Sequence, residues 1–146
     1  MTSRVAAIDC GTNSIRLLVA DVDPVRRTLT DVDRRLEIVR LGQGVDKTGR
    51  LAPEALERTL GALREYAGII RASRVDNVRM VAHVRSERNR SVRTRVSARL
   101  EPFIRETLDI PALRTDLVRI RQCRFHVGSD PVREIVVDRL ISDLCA

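Results

Sequence analysis

Residues 8–21 read Ile8-Asp9-Cys10-Gly11-Thr12-Asn13-Ser14-Ile15-Arg16-Leu17-Leu18-Val19-Ala20-Asp21. An apolar run ends in an acid, turns through Gly-Thr-Asn-Ser, and returns as a second apolar run. This is the pattern of a tight β-hairpin. Its turn offers a carboxylate, two hydroxyls, an amide and backbone N–H groups. Such a turn suits a phosphate with a divalent cation: N–H groups and hydroxyls take oxyanions, and Asp9 can hold the metal directly or through water. The same residues also fit a plain hairpin turn with polar tips.

Working outward, Val5–Asp9 and Ser14–Val22 are the two strands, and Asp23-Pro24 ends the second. Thr28–Arg40 carries apolar points at Leu29, Val32, Leu36, Ile38 and Leu41 just beyond. It is expected to be a third antiparallel strand, with Asp31–Arg34 as a candidate turn inside it. Gly42-Gln43-Gly44 and Thr48-Gly49-Arg50 are loop signals. Pro53 to Arg71 is the clearest helix. Proline sits in its first turn, Glu54 and Glu57 suit the positive end of the dipole, and Leu56, Leu60, Leu63, Ala67 and Ile70 form one apolar stripe. Val78–Ala82 follows as a short buried strand. The order β-β-β-α-β is an α/β unit with the helix on one sheet face, leaving the other face and the edges in need of cover.

After Ala82 the character changes. Residues 83–99 are dense in Arg and Ser. Asn89–Leu108 and Val132–Leu144 have helical spacing, interrupted by Pro111, and Leu113–Ile120 is a short apolar stretch. Cys123 and His126 form a lone Cys-x-x-His pair with no second pair, so they and His83 read as ordinary surface or core residues rather than metal ligands. The tail is expected to be helical or poorly ordered.

Composition bounds the partners. The chain has 146 residues, a net charge of +7, and only 2% aromatic residues. Its pI is about 10.7. The positive charge favours anions such as polyphosphate and nucleotides. The basic residues are almost all Arg, which fits bidentate phosphate recognition and equally a coding bias. With so few aromatic side chains for base stacking, nucleic acid is not the expected partner. Three cysteines, Cys10, Cys123 and Cys145, are an odd number and read as free thiols. There is no signal core and no apolar run of ~20 residues, so a soluble cytoplasmic protein with no membrane partner is expected.

Three blocks give residues 1–82 a resemblance to the N-terminal region of the exopolyphosphatase/guanosine pentaphosphate phosphohydrolase (Ppx/GppA) family, within the actin-like ATPase superfamily. They are Asp9-Cys10-Gly11-Thr12-Asn13-Ser14-Ile15-Arg16; Arg40-Leu41-Gly42-Gln43-Gly44-Val45 with Thr48-Gly49-Arg50-Leu51; and Ala55-Leu56-Glu57-Arg58 running on to Val78-Arg79-Met80-Val81-Ala82. The resemblance implies a partial actin-like (ribonuclease H-like) α/β domain: the hairpin, a third strand, a helix and a further strand. It implies that the hairpin turn is a first phosphate loop, with Asp9 helping to hold Mg²⁺. Gly11, Thr12, Asn13 and Ser14 would cradle phosphate. Arg16 is either a guanidinium aimed at the polyanion or a surface Arg on a strand. The implied reaction is attack of water on the terminal phosphoanhydride of polyphosphate or guanosine pentaphosphate, with a Glu as base.

The resemblance breaks after Ala82. The family's Thr-Ser-Ala-x-Arg-Asp-Ala is replaced by His83-Val84-Arg85-Ser86-Glu87-Arg88-Asn89. The segment supplying the catalytic Glu, the second phosphate loop Asp-Ile-Gly-Gly-Gly-Ser and the second lobe are not recognisable. No catalytic residue is assigned, and Glu87, Glu101, Glu106 and Glu134 all lack the family context. Residues 83–146 are either a frameshifted sequence or a divergent Arg-rich module, and the other reading frames of the DNA after the Ala82 codon discriminate the two. On this reading the chain is the N-terminal part of a phosphohydrolase, inactive alone. The alternative is a non-catalytic polyphosphate- or alarmone-binding half-domain that pairs with a partner chain. A lone sheet with one helix also points to self-association, as a homodimer or less specifically.

Overall fold

The computed structural model describes residues 2–82, 105–106 and 113–116, the last four as backbone. Five strands form one sheet in the order β3-β2-β1-β4-β5. The strands are β1 (Ser3–Cys10), β2 (Ser14–Asp23), β3 (Thr28–Ile38), β4 (Asn77–Ala82) and β5 (Leu113–Asp116). A single-turn helix α1 (Val45–Thr48) and a long helix α2 (Pro53–Ala72) connect β3 to β4. β1 lies at the centre, antiparallel to β2 and parallel to β4, and β5 extends the parallel side.

The hairpin, the third strand, the helix and the strand before Ala82 lie where the sequence puts them. Three details differ. Asp31–Arg34 is not a turn: β3 runs through it, and the register jumps from Val19↔Asp33 to Ala20↔Asp31. Val32 is thus the extra residue of a β-bulge, which absorbs the broken alternation without ending the strand. The Val45–Thr48 stretch of the loop region winds into α1, entered at Gly44 (φ 75°) and left at Gly49 (φ 66°), left-handed conformations that glycine adopts without strain. Within the tail, Leu113–Asp116 is a strand, paired in parallel with β4 from Val78↔Leu113 to Val81↔Asp116. The other tail elements read from the sequence, and His83, Cys123, His126 and Cys145, lie outside the described residues.

The sequence explains the layering. Every second residue of β1, β2 and β4 (Ala6, Ile8, Cys10; Ile15, Leu17, Val19; Val78, Met80, Ala82) meets Leu60, Leu63, Tyr66, Ala67 and Ile70 of α2 in one core. Leu56, at the edge of the apolar stripe, is only partly buried. Tyr66 completes the stripe instead, and its hydroxyl donates to the Ile15 carbonyl at 3.2 Å. The opposite face presents Val5, Ala7, Leu18, Ala20 and Val22, all buried. It is therefore not the open apolar surface expected from a lone sheet. The near-continuous apolar runs of β1 and β2 are themselves the mark of strands buried on both faces. Among the described residues, the exposed large apolar side chains are instead Val25, in the β2–β3 turn, and Val32, Leu36 and Ile38 on the edge strand β3.

Candidate functional site

The parallel strands β1, β4 and β5 all run the same way, so their carboxyl ends share one edge of the sheet. Ligands of open α/β sheets bind at such an edge. Asp9 and the Gly11–Ser14 turn lie there.

The turn is held from outside rather than by its own conformation. Gly11 N–H donates to the Ser14 carbonyl at 2.9 Å. No residue from Gly11 to Ser14 has a positive φ, unlike the type I′ and II′ turns of two-residue hairpins. The support comes from the segment after β3. Val39 and Arg40 both donate their N–H to the Asn13 carbonyl, at 3.0 and 2.9 Å, and Gly42 N–H donates to the Thr12 carbonyl at 2.8 Å. Every peptide here is trans. In a trans peptide the C=O and the following N–H point in opposite directions. With the carbonyls of Thr12 and Asn13 drawn toward Val39–Gly42, the N–H groups of Asn13 and Ser14 are directed away from that segment.

Val39–Gln43 is anchored in turn. Val39 and Leu41 sit in the core, and Arg58 of α2 donates from Nε to the Val39 carbonyl and from Nη2 to Gln43 Oε1, both at 3.1 Å. Arg40 adopts φ 50° to make the bend, a conformation costly for a residue with a Cβ. Its N–H bond to Asn13 and the bond from Gln43 N–H to its carbonyl, at 3.0 Å, hold it there.

Asp9 is 6% exposed. It pairs in register with Arg16 on β2 and with Val81 on β4, so Arg16 stands on the same sheet face as Asp9. Leu36 of β3 continues this row, next to Arg16, and Ile38 lies opposite Ser14. The structure thus brings Asp9, the turn Gly11–Ser14 and Arg16 to one corner of the sheet. Among the described residues, no group of three or more His, Cys, Asp or Glu side chains converges to hold a metal. The donors at the corner are one carboxylate and hydroxyl oxygens. That set fits Mg²⁺, which is commonly held by one or two carboxylates with the remaining positions filled by water and substrate phosphate.

Cys10 follows Asp9 but faces the core. Burial, with a smaller contribution from the Asp9 charge, pushes its thiol up to about 12. It therefore remains a protonated packing residue rather than a nucleophile. A shallow cavity of about 650 Å³ lies at the other end of β1, lined by Arg4, Asp21, Ser73, Arg74 and Asp76 among others. It is remote from the turn, and two of its carboxylates are already engaged: Arg4 forks onto Asp21 at 2.7 and 2.8 Å, and Asp76 accepts from the Ser3 hydroxyl and the Arg4 backbone N–H, each at 2.9 Å.

The sequence marks the residues of the turn but not its supports: Gly42 stands in it as a loop signal, and Gly42 and Arg58 as parts of the family blocks. The signal available is their place in those blocks after the hairpin, and this set of bonds gives that place a physical role.

Comparison with known proteins gives the class. The family model described as the Ppx/GppA phosphatase family matches residues 18–100, and this chain belongs to that family. The match continues past Ala82. The chain is 61% identical over 82 residues to exopolyphosphatase 2 of Mycobacterium tuberculosis, covering 55% of this chain and 26% of that protein. It is 34% identical over 116 residues to a bifunctional 3-dehydroquinate synthase/phosphatase of Fusobacterium nucleatum, covering 77% of this chain and 17% of that one. Among solved structures, an exopolyphosphatase-like protein superposes with a TM-score of 0.63 at 41% identity, covering 80% of this chain and 33% of that one. The Ppx/GppA family member of Aquifex aeolicus does so with a TM-score of 0.62 at 28% identity, over 80% of this chain and 35% of that one. The fold is the mixed α/β, actin-like fold of these proteins, and this chain spans about a quarter to a third of the exopolyphosphatase relatives it resembles. Among the described residues, no helix is long and apolar enough to cross a membrane.

Proposed function

We propose that this chain carries the first phosphate-binding loop of an exopolyphosphatase-type phosphohydrolase. It would hold a terminal phosphate of polyphosphate or of guanosine pentaphosphate, without hydrolysing it alone. The observation that carries this reading is the clamp on the turn: the carbonyls of Thr12 and Asn13 are tied to Val39, Arg40 and Gly42, which directs the N–H groups of Asn13 and Ser14 the other way. Fixed N–H donors that need no reorganisation are what an oxyanion site requires.

In this reading Asp9 holds Mg²⁺, and Thr12, Asn13 and Ser14 receive the phosphoryl oxygens, while Gly11 closes the turn through its bond to the Ser14 carbonyl. Arg16 adds a guanidinium from the neighbouring strand. When bound, Mg²⁺ would neutralise charge on the phosphate oxygens. Hydrolysis needs more. A base on the attacking water contributes about 10²–10⁴ in rate, and donors on the far side of the phosphate contribute comparably. The sequence after Ala82 supplies neither in recognisable form. In the half-domain alternative, a partner chain brings the second lobe.

Titration calorimetry with polyphosphate and Mg²⁺, run beside a phosphate-release assay, tests this. Binding that is lost in Asp9→Ala, with no release, is the expected result. Steady release abolished by Asp9→Ala would overturn the inactivity. Absence of binding to either polyphosphate or guanosine pentaphosphate would overturn the proposal. Adding a separately expressed second lobe tests the half-domain version, which requires release to appear in the mixture.

A further inference from the structure

We propose that Arg58, on α2, is the positioning residue of the phosphate turn, acting through the Val39–Gln43 segment. The inference rests on the phosphate-binding reading above. The chain of contacts is continuous. Arg58 Nε reaches the Val39 carbonyl and Nη2 reaches Gln43 Oε1, both at 3.1 Å. The N–H groups of Val39 and Arg40 hold the Asn13 carbonyl, and Gly42 N–H holds that of Thr12. One guanidinium thus spans both ends of the five-residue segment whose N–H groups orient the turn.

The geometry explains why this residue is an arginine. A guanidinium is a planar fork whose N–H groups point in fixed, divergent directions. Here two of them take acceptors four residues apart along the segment. A lysine ammonium could reach one of these acceptors but presents no rigid fork. The segment also needs an external hold, since Arg40 sits at φ 50° and would relax if released. The helix end of the link is rigid: Thr59, next to Arg58, is fully buried with its hydroxyl bonded to the Ala55 carbonyl at 2.8 Å. The clamp therefore refers the turn to the most regular element of the fold.

The test compares Arg58→Met, which keeps most of the aliphatic stem and removes the donors, with Arg58→Lys in the full chain. Amide exchange is followed by NMR without ligand. Removing both hydrogen bonds is expected to speed exchange at the Arg40 and Gly42 amides about tenfold or more in Arg58→Met. The central amides of β1 and β4 should be unchanged, and Arg58→Lys should fall between. In the same samples polyphosphate affinity with Mg²⁺ should fall about tenfold in Arg58→Met, with partial rescue in Arg58→Lys. Unchanged exchange at Arg40 and Gly42 overturns the proposal, as does faster exchange with wild-type affinity. A global rise in exchange across β1 and β4 also overturns it, because Arg58 would then hold the fold rather than the turn. If the wild-type chain binds no polyphosphate, the phosphate-binding reading fails, and the exchange arm still decides whether Arg58 orders the turn.

Discussion

Gly42 and Thr12 are in contact through backbone and side chain at once. The Gly42 N–H donates to the Thr12 carbonyl at 2.8 Å, and a Cβ added at Gly42 would overlap Thr12 Cγ2. The turn and its support are therefore fitted to each other with no room for a methyl group. Gly42→Ala must move Thr12 or break the bond. Overpacking of this kind costs about 1–3 kcal/mol, read as a lowered urea midpoint. Thr12→Ser deletes the Cγ2 and keeps the hydroxyl, so Gly42→Ala/Thr12→Ser should recover a large part of the loss. If the double variant is as unstable as the sum of the two single ones, the contact is not the cause.

Tyr66 ties α2 to the hairpin. Its ring is 1% exposed, and its hydroxyl donates to the Ile15 carbonyl near the start of β2. Burial, reinforced by Glu37 and Glu65, holds the phenol well above its ordinary range, so it remains a donor at any working pH. Tyr66→Phe keeps the packing and deletes one buried bond, and is expected to cost about 1 kcal/mol. Tyr66→Ala also empties the core and should cost several-fold more. Equal losses in the two variants would show that the hydroxyl contributes most of the stabilisation and the ring little.

The contrast between these residues and the opening motif shows what a sequence displays. The hairpin is legible because Ile8–Asp21 puts two apolar runs around a polar turn, and α2 because Pro53 and a regular apolar stripe mark it. The bulge at Val32 is not, since a break in alternation looks the same whether the chain turns or skips one residue. β5 is four residues long and is defined by pairing with β4, some 35 positions earlier, so the short apolar stretch Leu113–Ile120 does not by itself mark a strand. The clamp on the turn is the least visible feature. Its bonds join backbone N–H and carbonyl groups 26–30 positions apart, and backbone groups are identical in every residue. Only Gly42, where a side chain is forbidden, and Arg58, where a fork is required, leave a trace in residue type.

Cys10 gives a chemical test of how closed the core is beneath the site. Its thiol is 1% exposed and pushed up to about 12, chiefly by burial. Thiol reactivity follows the thiolate fraction and access, and both are suppressed here. In the folded chain at pH 8 Cys10 should resist iodoacetamide, and it should label in parallel with global unfolding as urea is raised. Peptide mapping separates Cys10 from Cys123 and Cys145. Labelling of Cys10 well below the unfolding midpoint would mean that the sheet opens locally at the Asp9 end. Cys10→Ser would place a hydroxyl in that apolar site and is expected to destabilise, whereas Cys10→Ala should be milder.

The far end of the sheet should contribute to acid stability. Asp21 accepts both bonds of the Arg4 fork, and this pairing holds its carboxyl below the ordinary 3.8. Asp23 is lowered as well, chiefly by the N–H of Arg26 and then by that of Val25, which cap the turn between β2 and β3. For a carboxyl depressed in the folded state, the stabilisation is complete above the unfolded value of ~3.9 and is lost as pH falls through the lower folded value. Stability of the wild-type chain should thus be insensitive to these two groups near neutral pH and decline below about pH 4. Asp21→Asn removes one of the two titrations, so its urea midpoint should fall less steeply between pH 5 and pH 2.5 than that of the wild type, from a lower starting value. Asp21→Asn/Asp23→Asn should flatten the decline further. High salt should weaken the Asp21 contribution, since the Arg4 and Asp21 side chains are about one-third exposed, at 38% and 32%. An acid profile unchanged by both substitutions would place the pH sensitivity in other carboxyls of the chain.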